Sequence, residues 1–293
     1  FFLNGMRDKV INTITEIFKS DNDIYILLGD LGVFQARFAN EFDSYRCINY
    51  GIMEQSMIGF ASGISKAGSY PIVYSIAPFI VERSFEQLKL DFGYNQAKGL
   101  IITAGGSFDY NKLGPTHYCP NDVSLIYKTN CHNIVLPWNE EDAYKSTLKV
   151  LTDKSYSYMR LSSENIPNDE KPLDIFEFKN QSKEIINIGI GPDSLLIGEY
   201  MDCVIDYSVN FINNESLSKI YSIALNSQKI NLFAGFNLDF LPEALLGSLS
   251  LKNMKKDKKS NLSMNYSIGS KFDTSESKIS HLTSSLRSLE ILI

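Results

Sequence analysis

The sequence predicts an α/β protein whose central sheet is parallel. Short apolar segments alternate with stretches of helical apolar spacing from residue 4 to residue 162, and the connections between them are short. Such alternation is typical of a parallel sheet with helices on both faces. Ligands bind such sheets at the carboxyl ends of the strands. The loops that follow predicted strands are therefore the first candidates for function, and they span residues 29–32, 50–54, 77–79 and 105–117.

Each predicted element follows from its residue pattern. Residues 4–20 are predicted to form an amphipathic helix, because apolar side chains recur on one face. Gly68 is predicted to end a later helix, and acidic residues favour the first turn of the helix after residue 139. The predicted strands are DIYILLG, RCIN, YPIVYSI, GLIITAGG, NIVLPW and YSYMRLS; the predicted helices between them are VFQARFANEF, EQSMIGFASGISKAG, FIVERSFEQLKLDF, NDVSLIYKT and NEEDAYKSTLKVL.

A second, smaller α/β unit is predicted after a linker. Residues 163–183 are polar and contain Pro167 and Pro172. We therefore expect a first domain over residues 1–165, a linker over 166–184 and a second domain over 185–293. In the second domain EIINIGIGPD, CVIDYSV and KINLFAGF are predicted strands, FLPEALLGSLSL is a predicted helix, and a last helix is expected after Asp273.

Composition and charge argue against several classes of function. The 293 residues are 44% hydrophobic and 21% charged, as in soluble globular proteins, and the net charge is −6. The first half has no basic block, which argues against nucleic acid or a membrane surface as a partner. The lysine-rich stretch near Lys252 is interrupted and polar, so we interpret it as a solvated loop. No apolar run is long enough to span a bilayer, and the first residues become charged too early for a signal peptide.

The cysteines indicate a reducing environment. Four are present without a CxxC pair, at Cys47, Cys119, Cys131 and Cys203. This pattern does not favour disulfides, and we predict a cytoplasmic protein. The spacing of His117, Cys119, Cys131 and His132 matches no standard zinc pattern, so no metal ligand is predicted in this chain.

Glu54 is the one carboxylate in residues 48–65, a stretch of mainly apolar and small residues. Burying a carboxylate is costly unless another group pairs with it. One interpretation is a helix-start carboxylate, favourable near the positive end of the helix. The motifs around Glu54 support a second interpretation, in which it meets a cofactor.

Those motifs, taken in order, resemble the pyrimidine-binding domain of the transketolase family, whose members use thiamine diphosphate. GDL is followed by NYGIMEQ with GFASGIS, then by ERSFEQLKLD, and last by LGPTHY with NDVSLI. The resemblance runs from about residue 24 to residue 160. Weaker pieces, INIGIGPD, VIDYSVNFI and YSIGSKF, resemble the family's C-terminal domain. The chain thus resembles the C-terminal half of a transketolase, the second subunit of a split enzyme.

The resemblance implies roles at the cofactor. Glu54 matches the glutamate that contacts N1′ of the aminopyrimidine ring; sharing a proton there favours the tautomer that removes the C2 proton of the thiazolium. Phe79 matches an aromatic residue that packs on this ring, with an ordinary core phenylalanine as the alternative. Asp30 and Leu31 match residues near the cofactor, with a plain turn residue as the alternative for Asp30.

Two further residues are implied at the substrate. His117 in GPTH matches a histidine that faces the reacting carbonyl or hydroxyl groups, where an imidazole can donate to a developing alkoxide. Arg160 matches an arginine that holds a sugar phosphate, because its planar guanidinium binds phosphate oxygens in pairs. The alternative for Arg160 is a surface charge at a strand end.

Departures from the family pattern leave the substrates open. Leu113 stands where conventional transketolases carry an aspartate that reads sugar hydroxyls, and Gly105 and Gly106 stand where a further histidine is found. The stretch between the first two strands of the second domain is also short for a crossover helix, which predicts a trimmed domain.

Half of the expected cofactor site is missing from the sequence. The family binds the diphosphate through Mg²⁺ and a GDG motif, and this chain has no GDG. We therefore expect a separate partner subunit that carries the diphosphate-binding domain, in an α2β2 assembly. The predicted activity is transfer of a two-carbon ketol unit between sugar phosphates or nucleotide-linked sugars. Two alternatives stay open: a deoxyxylulose-phosphate-synthase-like activity, and a degenerate, non-catalytic regulatory subunit.

Overall fold

The computed structural model describes residues 5–162, 185–192, 194, 205–226, 229–234, 261–267 and 286–292. The strands are β1 (Ile24–Leu28), β2 (Cys47–Asn49), β3 (Tyr70–Ile76), β4 (Gly99–Ala104), β5 (Asn133–Val135), β6 (Tyr156–Leu161), β7 (Ile185–Ile190), β8 (Tyr207–Val209), β9 (Phe211–Ile212), β10 (Lys229–Ala234), β11 (Asn261–Ser267) and β12 (Leu286–Leu292). The α-helices are α1 (Met6–Ser20), α2 (Arg37–Phe42), α3 (Glu54–Lys66), α4 (Phe85–Gln87), α5 (Asp122–Tyr127), α6 (Glu140–Asp153) and α7 (Asn214–Asn226).

The predicted α/β fold is confirmed. The main sheet has seven strands in the order β2-β1-β3-β4-β6-β5-β9. The pairs among β1 to β6 are parallel, and only β9, at the edge beside β5, is antiparallel. Because β1, β3 and β4 are central and parallel, their carboxyl ends meet at one edge of the sheet, where ligands bind in folds of this kind.

Helices cover both faces of this sheet. Successive strand residues point to opposite faces, so Leu27 belongs to one buried apolar cluster and Ile26 to the other. Met57 of α3 and Val123 of α5 pack in the cluster of Leu27. Val10 of α1 and Val150 of α6 pack in the other cluster. The near-continuous apolar sequence of β4 follows from burial on both faces, since all its residues are buried.

The second unit contributes a small parallel sheet in the order β10-β7-β8, and an antiparallel pair, β11 with β12. It also supplies β9, which pairs with β5 of the main sheet. Beside this junction the Asn210 side chain donates a hydrogen bond of 2.7 Å to Asp142. The Asp142 carboxylate is buried, and burial raises its pKa, while the hydrogen bond from Asn210 opposes the rise. The domain boundaries at residues 165 and 185 stay a prediction.

Three local predictions differ from the structure. The helix predicted over 79–92 is a composite in which α4 lies between two π-helical stretches, Pro78–Glu82 and Leu88–Tyr94. The sequence pattern does not predict α7, although its residues are helical. The last helix expected after Asp273 is wrong at residues 286–292, which form β12, whereas residues 268–285 lie outside the described residues. The helix predicted as FLPEALLGSLSL also lies outside them.

Residues 191–206 connect two strands that pair in parallel, β7 and β8. The prediction of a trimmed domain concerns mainly residues 193 and 195–204, which lie outside the described residues. In the described part of the chain, no helix has both the length and the apolar character needed to cross a membrane.

Candidate functional site

Glu54 is the first residue of α3 and follows a tight turn after β2. Gly51 adopts a left-handed φ of 76°, which glycine tolerates without strain. The Asn49 side chain accepts a hydrogen bond of 3.2 Å from the Gly51 N–H. This turn brings the chain back over the sheet edge, so that the Glu54 side chain lies inside the protein with 1% of its surface exposed.

The two carboxylate oxygens of Glu54 have different partners. Ser75 of β3 donates a hydrogen bond of 3.2 Å to Oε1. The Arg83 guanidinium lies 2.8 Å from Oε2, and 43% of the Arg83 side chain is exposed. Gly29 makes room for this arrangement, because a Cβ at that position would lie 2.8 Å from the Ser75 hydroxyl. The cost of burying the carboxylate is thus offset by one neutral and one charged partner.

Phe79 lies on the π-helical stretch that follows β3, and Arg83 is the residue directly after its end. The Arg83 guanidinium carbon is 4.4 Å from the centre of the Phe79 ring, a cation–π contact. The Arg83 N–H donates to the carbonyl of Pro78, as in a π-helix. The Phe79 ring is half-buried.

His117 reaches the same place from the loop after β4. Its ring centre lies 5.3 Å from that of Phe79, in an edge-to-face arrangement. The Tyr110 ring lies on another side of His117 at 6.4 Å. The Thr116 hydroxyl is 2.8 Å from Nδ1 of His117. Two backbone hydrogen bonds, 3.0 and 2.9 Å long, join Ser107 and Cys119 and close the loop.

Asp30 and Leu31 follow β1 at the neighbouring strand end. Asp30 has a left-handed φ of 55°, a conformation that aspartate tolerates better than most residues. Asn49 accepts a hydrogen bond from the Asp30 N–H and donates one to the Asp30 carboxylate, at 3.1 and 3.2 Å. The Asp30 side chain is exposed, and Leu31 is half-buried against the apolar cluster of Ile26.

Arg160 lies under the loop that follows β4 and carries His117 (residues 105–117), which we call the histidine loop. It is 2% exposed, and its Nε lies 3.0 Å from a carboxylate oxygen of Asp122, which is fully buried. Tyr158 donates a hydrogen bond of 2.8 Å to the same carboxylate. Burial raises the pKa of Asp122, and the Arg160 guanidinium and Tyr158 hydroxyl oppose that rise. A Cβ at Gly106 would meet the Arg160 guanidinium, which explains the glycine. The phosphate-binding role of Arg160 stays a prediction.

The structure therefore brings together Glu54, Phe79 and His117, with Asp30 and Leu31 at the adjoining strand end. Sequence reasoning missed Arg83, Ser75 and Asn49, which hold this group in place. Arg83 stands four residues after Phe79, a spacing that indicates contact between these two side chains but gives no signal for the contact with Glu54.

In the described part of the chain, no group of three or more His, Cys, Asp or Glu side chains is arranged to hold a metal ion. One further carboxyl lies near the histidine loop: Glu82 is exposed as a residue, and its carboxyl contacts the Cys119 thiol.

A buried acid, an aromatic ring and a histidine at the carboxyl ends of parallel strands make this edge of the α/β domain a candidate ligand site. Comparison with known proteins identifies the family. Residues 5–168 match the family described as transketolase, pyrimidine binding domain, so the chain belongs to this family. The resemblance inferred from the sequence motifs is confirmed.

Two curated relatives have the same sequence identity to this chain. The chain is 31% identical over 152 residues to an uncharacterized 33.6 kDa protein in the fasciation locus of Rhodococcoides fascians, covering 52% of this chain and 49% of that protein. It is 31% identical over 175 residues to one subunit of the apulose-4-phosphate transketolase of Phocaeicola vulgatus, covering 59% of this chain and 55% of that protein. The chain thus spans about half the length of these curated relatives.

A solved structure described as a split gene transketolase, inactive beta4 tetramer, aligns with a TM-score of 0.67. The identity is 18%, and the alignment covers 85% of this chain and 86% of the other. This likeness shows a shared fold.

Proposed function

We propose that the chain is a subunit of a thiamine-diphosphate-dependent transketolase that transfers a two-carbon ketol unit between sugar substrates. The observation that carries the proposal is Glu54, a carboxylate that is 1% exposed in a domain of the transketolase family and that Arg83 links to the half-buried Phe79 ring. A carboxyl oxygen held beside an aromatic face suits an aminopyrimidine ring, which needs a stacking partner and a proton-sharing partner at one nitrogen.

The residues of this chain would then have separate tasks. Glu54 would hold the proton shared with N1′ of the ring, and Phe79 would pack on the ring. Asp30 and Leu31 would contact the cofactor from the end of β1. When bound, thiamine diphosphate supplies the nucleophilic carbon to which the two-carbon unit is transferred.

His117 would serve the substrate. Because Nδ1 contacts the Thr116 hydroxyl at 2.8 Å, we assign Nε2 to the substrate oxygen, where it would donate a hydrogen bond as negative charge develops. Arg160 remains the proposed phosphate ligand. Since its guanidinium pairs with Asp122 beneath the histidine loop, binding a phosphate there would require that loop to expose it.

A partner subunit would complete the site. The chain has no GDG motif, so we propose that Mg²⁺ and the diphosphate are held mainly by a separate subunit in an α2β2 assembly. Apolar side chains exposed beside Glu54 support this proposal: 66% of Ile52 and 55% of Met53 are exposed at the turn that leads into α3. We further propose the division into domains 1–165 and 185–293 with a linker between them.

The test is reconstitution of transketolase activity with a GDG-containing subunit encoded by a neighbouring reading frame. The two chains are co-purified, thiamine diphosphate and Mg²⁺ are added, and ketose phosphates and nucleotide-linked sugars are screened for two-carbon transfer. Activity that disappears on Glu54→Ala supports the proposal. Full activity of Glu54→Ala contradicts the mechanism. Acyl transfer from a 2-oxo acid would instead favour the deoxyxylulose-phosphate-synthase-like alternative, and the absence of cofactor binding would favour a regulatory subunit.

A further inference from the structure

One side chain, Arg83, contacts both groups that the proposed function assigns to the aminopyrimidine ring. Its guanidinium lies 2.8 Å from Oε2 of Glu54. The same guanidinium lies over the Phe79 ring, with 4.4 Å between its central carbon and the ring centre. A guanidinium is planar, donates hydrogen bonds at its edge and stacks on aromatic faces. An aminopyrimidine has the same two requirements, a flat face for stacking and a polar edge for the carboxyl.

We propose that Arg83 is a positioning residue that competes with the cofactor's aminopyrimidine ring for Glu54 and Phe79. The inference rests on the proposed function. The guanidinium and the ring cannot both lie on this face of Phe79 and bond the same oxygen of Glu54. Arg83 therefore holds the carboxylate in place, and its side chain must turn away before the ring binds.

The surroundings of Arg83 permit such a movement of the side chain alone. The Gln55 side-chain amide of α3 donates a hydrogen bond of 3.1 Å to the Arg83 carbonyl, which fixes the backbone. The side chain is 43% exposed, so its charge can move into water without being buried elsewhere. Ser75 remains 3.2 Å from Oε1 and keeps Glu54 oriented when Arg83 leaves.

Competition by Arg83 predicts that cofactor binding becomes tighter when the guanidinium is removed. If the binding-competent state is only a fraction of the population, the apparent dissociation constant rises by the inverse of that fraction. Removing the guanidinium removes this cost, and it also leaves a buried carboxyl whose best remaining partner is the incoming ring nitrogen. Because ion pairs with a half-exposed member are weak, the gain is modest, and we expect cofactor binding to tighten roughly three- to tenfold.

The experiment is calorimetric titration of thiamine diphosphate with MgCl₂ into the assembly of this chain with the subunit that co-purifies with it. The variant is Arg83→Met, which keeps the length of the stem and removes the charge. The matched control is Arg37→Met. Arg37 also stacks on aromatic rings, at 4.1 Å from Phe34 and 4.2 Å from Phe38, but it lies on α2, where its guanidinium donates a hydrogen bond to the Phe34 carbonyl.

Tighter binding by Arg83→Met with unchanged binding by Arg37→Met supports the inference. Equal or weaker binding by Arg83→Met, in an assembly whose wild type binds the cofactor, overturns it and leaves the proposed function intact. No binding by either wild type or variant overturns the proposed function, and the inference with it. If circular dichroism shows that Arg83→Met is unfolded, Arg83→Gln is titrated in its place, and the same outcomes apply to it.

Discussion

At the scale of single residues, Glu54 carries most of the functional argument, because its carboxylate is buried between a hydroxyl and a guanidinium. Glu54→Gln keeps the size and hydrogen-bonding ability of the side chain but cannot exchange a proton. We expect the rate of two-carbon transfer in the assembly to fall by about 10²-fold or more, the range of general acid–base catalysis. Initial rates at saturating cofactor measure this.

The matched control for that change is Glu86→Gln, which neutralises an exposed carboxylate on α4. It should leave the rate unchanged. A Glu54→Gln assembly that turns over at the rate of Glu86→Gln would show that the buried carboxyl does not take part in proton sharing.

Arg160 and Asp122 form a pair that matters for stability, since both side chains are buried and 3.0 Å apart. Arg160→Met should lower the free energy of unfolding by about 3 kcal/mol, because removing one partner of a buried pair leaves the other uncompensated. The double variant with Asp122→Asn should regain part of that loss. Urea unfolding of the two single variants and the double variant measures the coupling. Additive losses would contradict a direct pair.

At the scale of secondary-structure elements, the sequence predicts those helices and strands that depend on the local spacing of apolar residues. β3 coincides with the predicted strand YPIVYSI, because every residue but the last is buried and apolar side chains fill both faces. α3 begins at Glu54, the first residue of the predicted helical segment EQSMIGFASGISKAG. The pattern could not predict the π-helical turns after Pro78, because they depend on packing around the site and not on apolar spacing.

The same limit applies to the site. Glu54, Phe79 and His117 could be found because their motifs are compact, and the structure places Phe79 and His117 in contact. Arg83 was not found, because in a regular helix the pattern gives no reason to direct it at Glu54 on another helix. The π-helical stretch alters the register, and the contact is therefore visible only in three dimensions.

The ends of α1 and α6 are joined by an ion pair whose effect depends on pH. Lys154 lies 2.7 Å from Asp21 and, by its hydrogen bond, holds the pKa of that carboxyl below its usual value of 3.8. A lowered pKa in the folded state gives stability above the unfolded pKa that is lost as the pH falls through the folded value. Because both side chains are partly exposed, Lys154→Met should cost only about 0.5 kcal/mol at pH 7.

Thermal melts of wild type and Lys154→Met at a series of pH values measure this. The difference should be constant from pH 7 down to about pH 5 and should be lost as the pH falls through the lowered pKa of Asp21 in the folded state. Lys145→Met is the control, because its pair with Glu141 is longer, at 3.5 Å, and more exposed. A difference that stays the same at all pH values would mean that Lys154 acts through packing and not through Asp21.

At the scale of the whole molecule, the proposed site is at the surface of this chain, and its neighbours are apolar. Ile52 and Met53 directly precede Glu54 and expose 66% and 55% of their surface. Single exposed apolar residues are common, but these two adjoin a buried acid that the proposed function assigns to a site shared with a second chain. Covering them would exclude water from Glu54 and strengthen its interactions.

Ile52→Asp tests this arrangement, because it introduces a charge where the partner subunit should lie. Burying an unpaired charge is costly enough that we expect co-purification with the partner to weaken by about tenfold or more, without a change in the melting temperature of the isolated chain. Tyr94→Asp is the control: Tyr94 is 82% exposed and ends the second π-helical stretch, away from the site. Pull-down with the tagged partner and light scattering measure the assembly. If Ile52→Asp and Tyr94→Asp assemble equally well, the turn before α3 is not at the interface, and the second half of the site must approach Glu54 from another side.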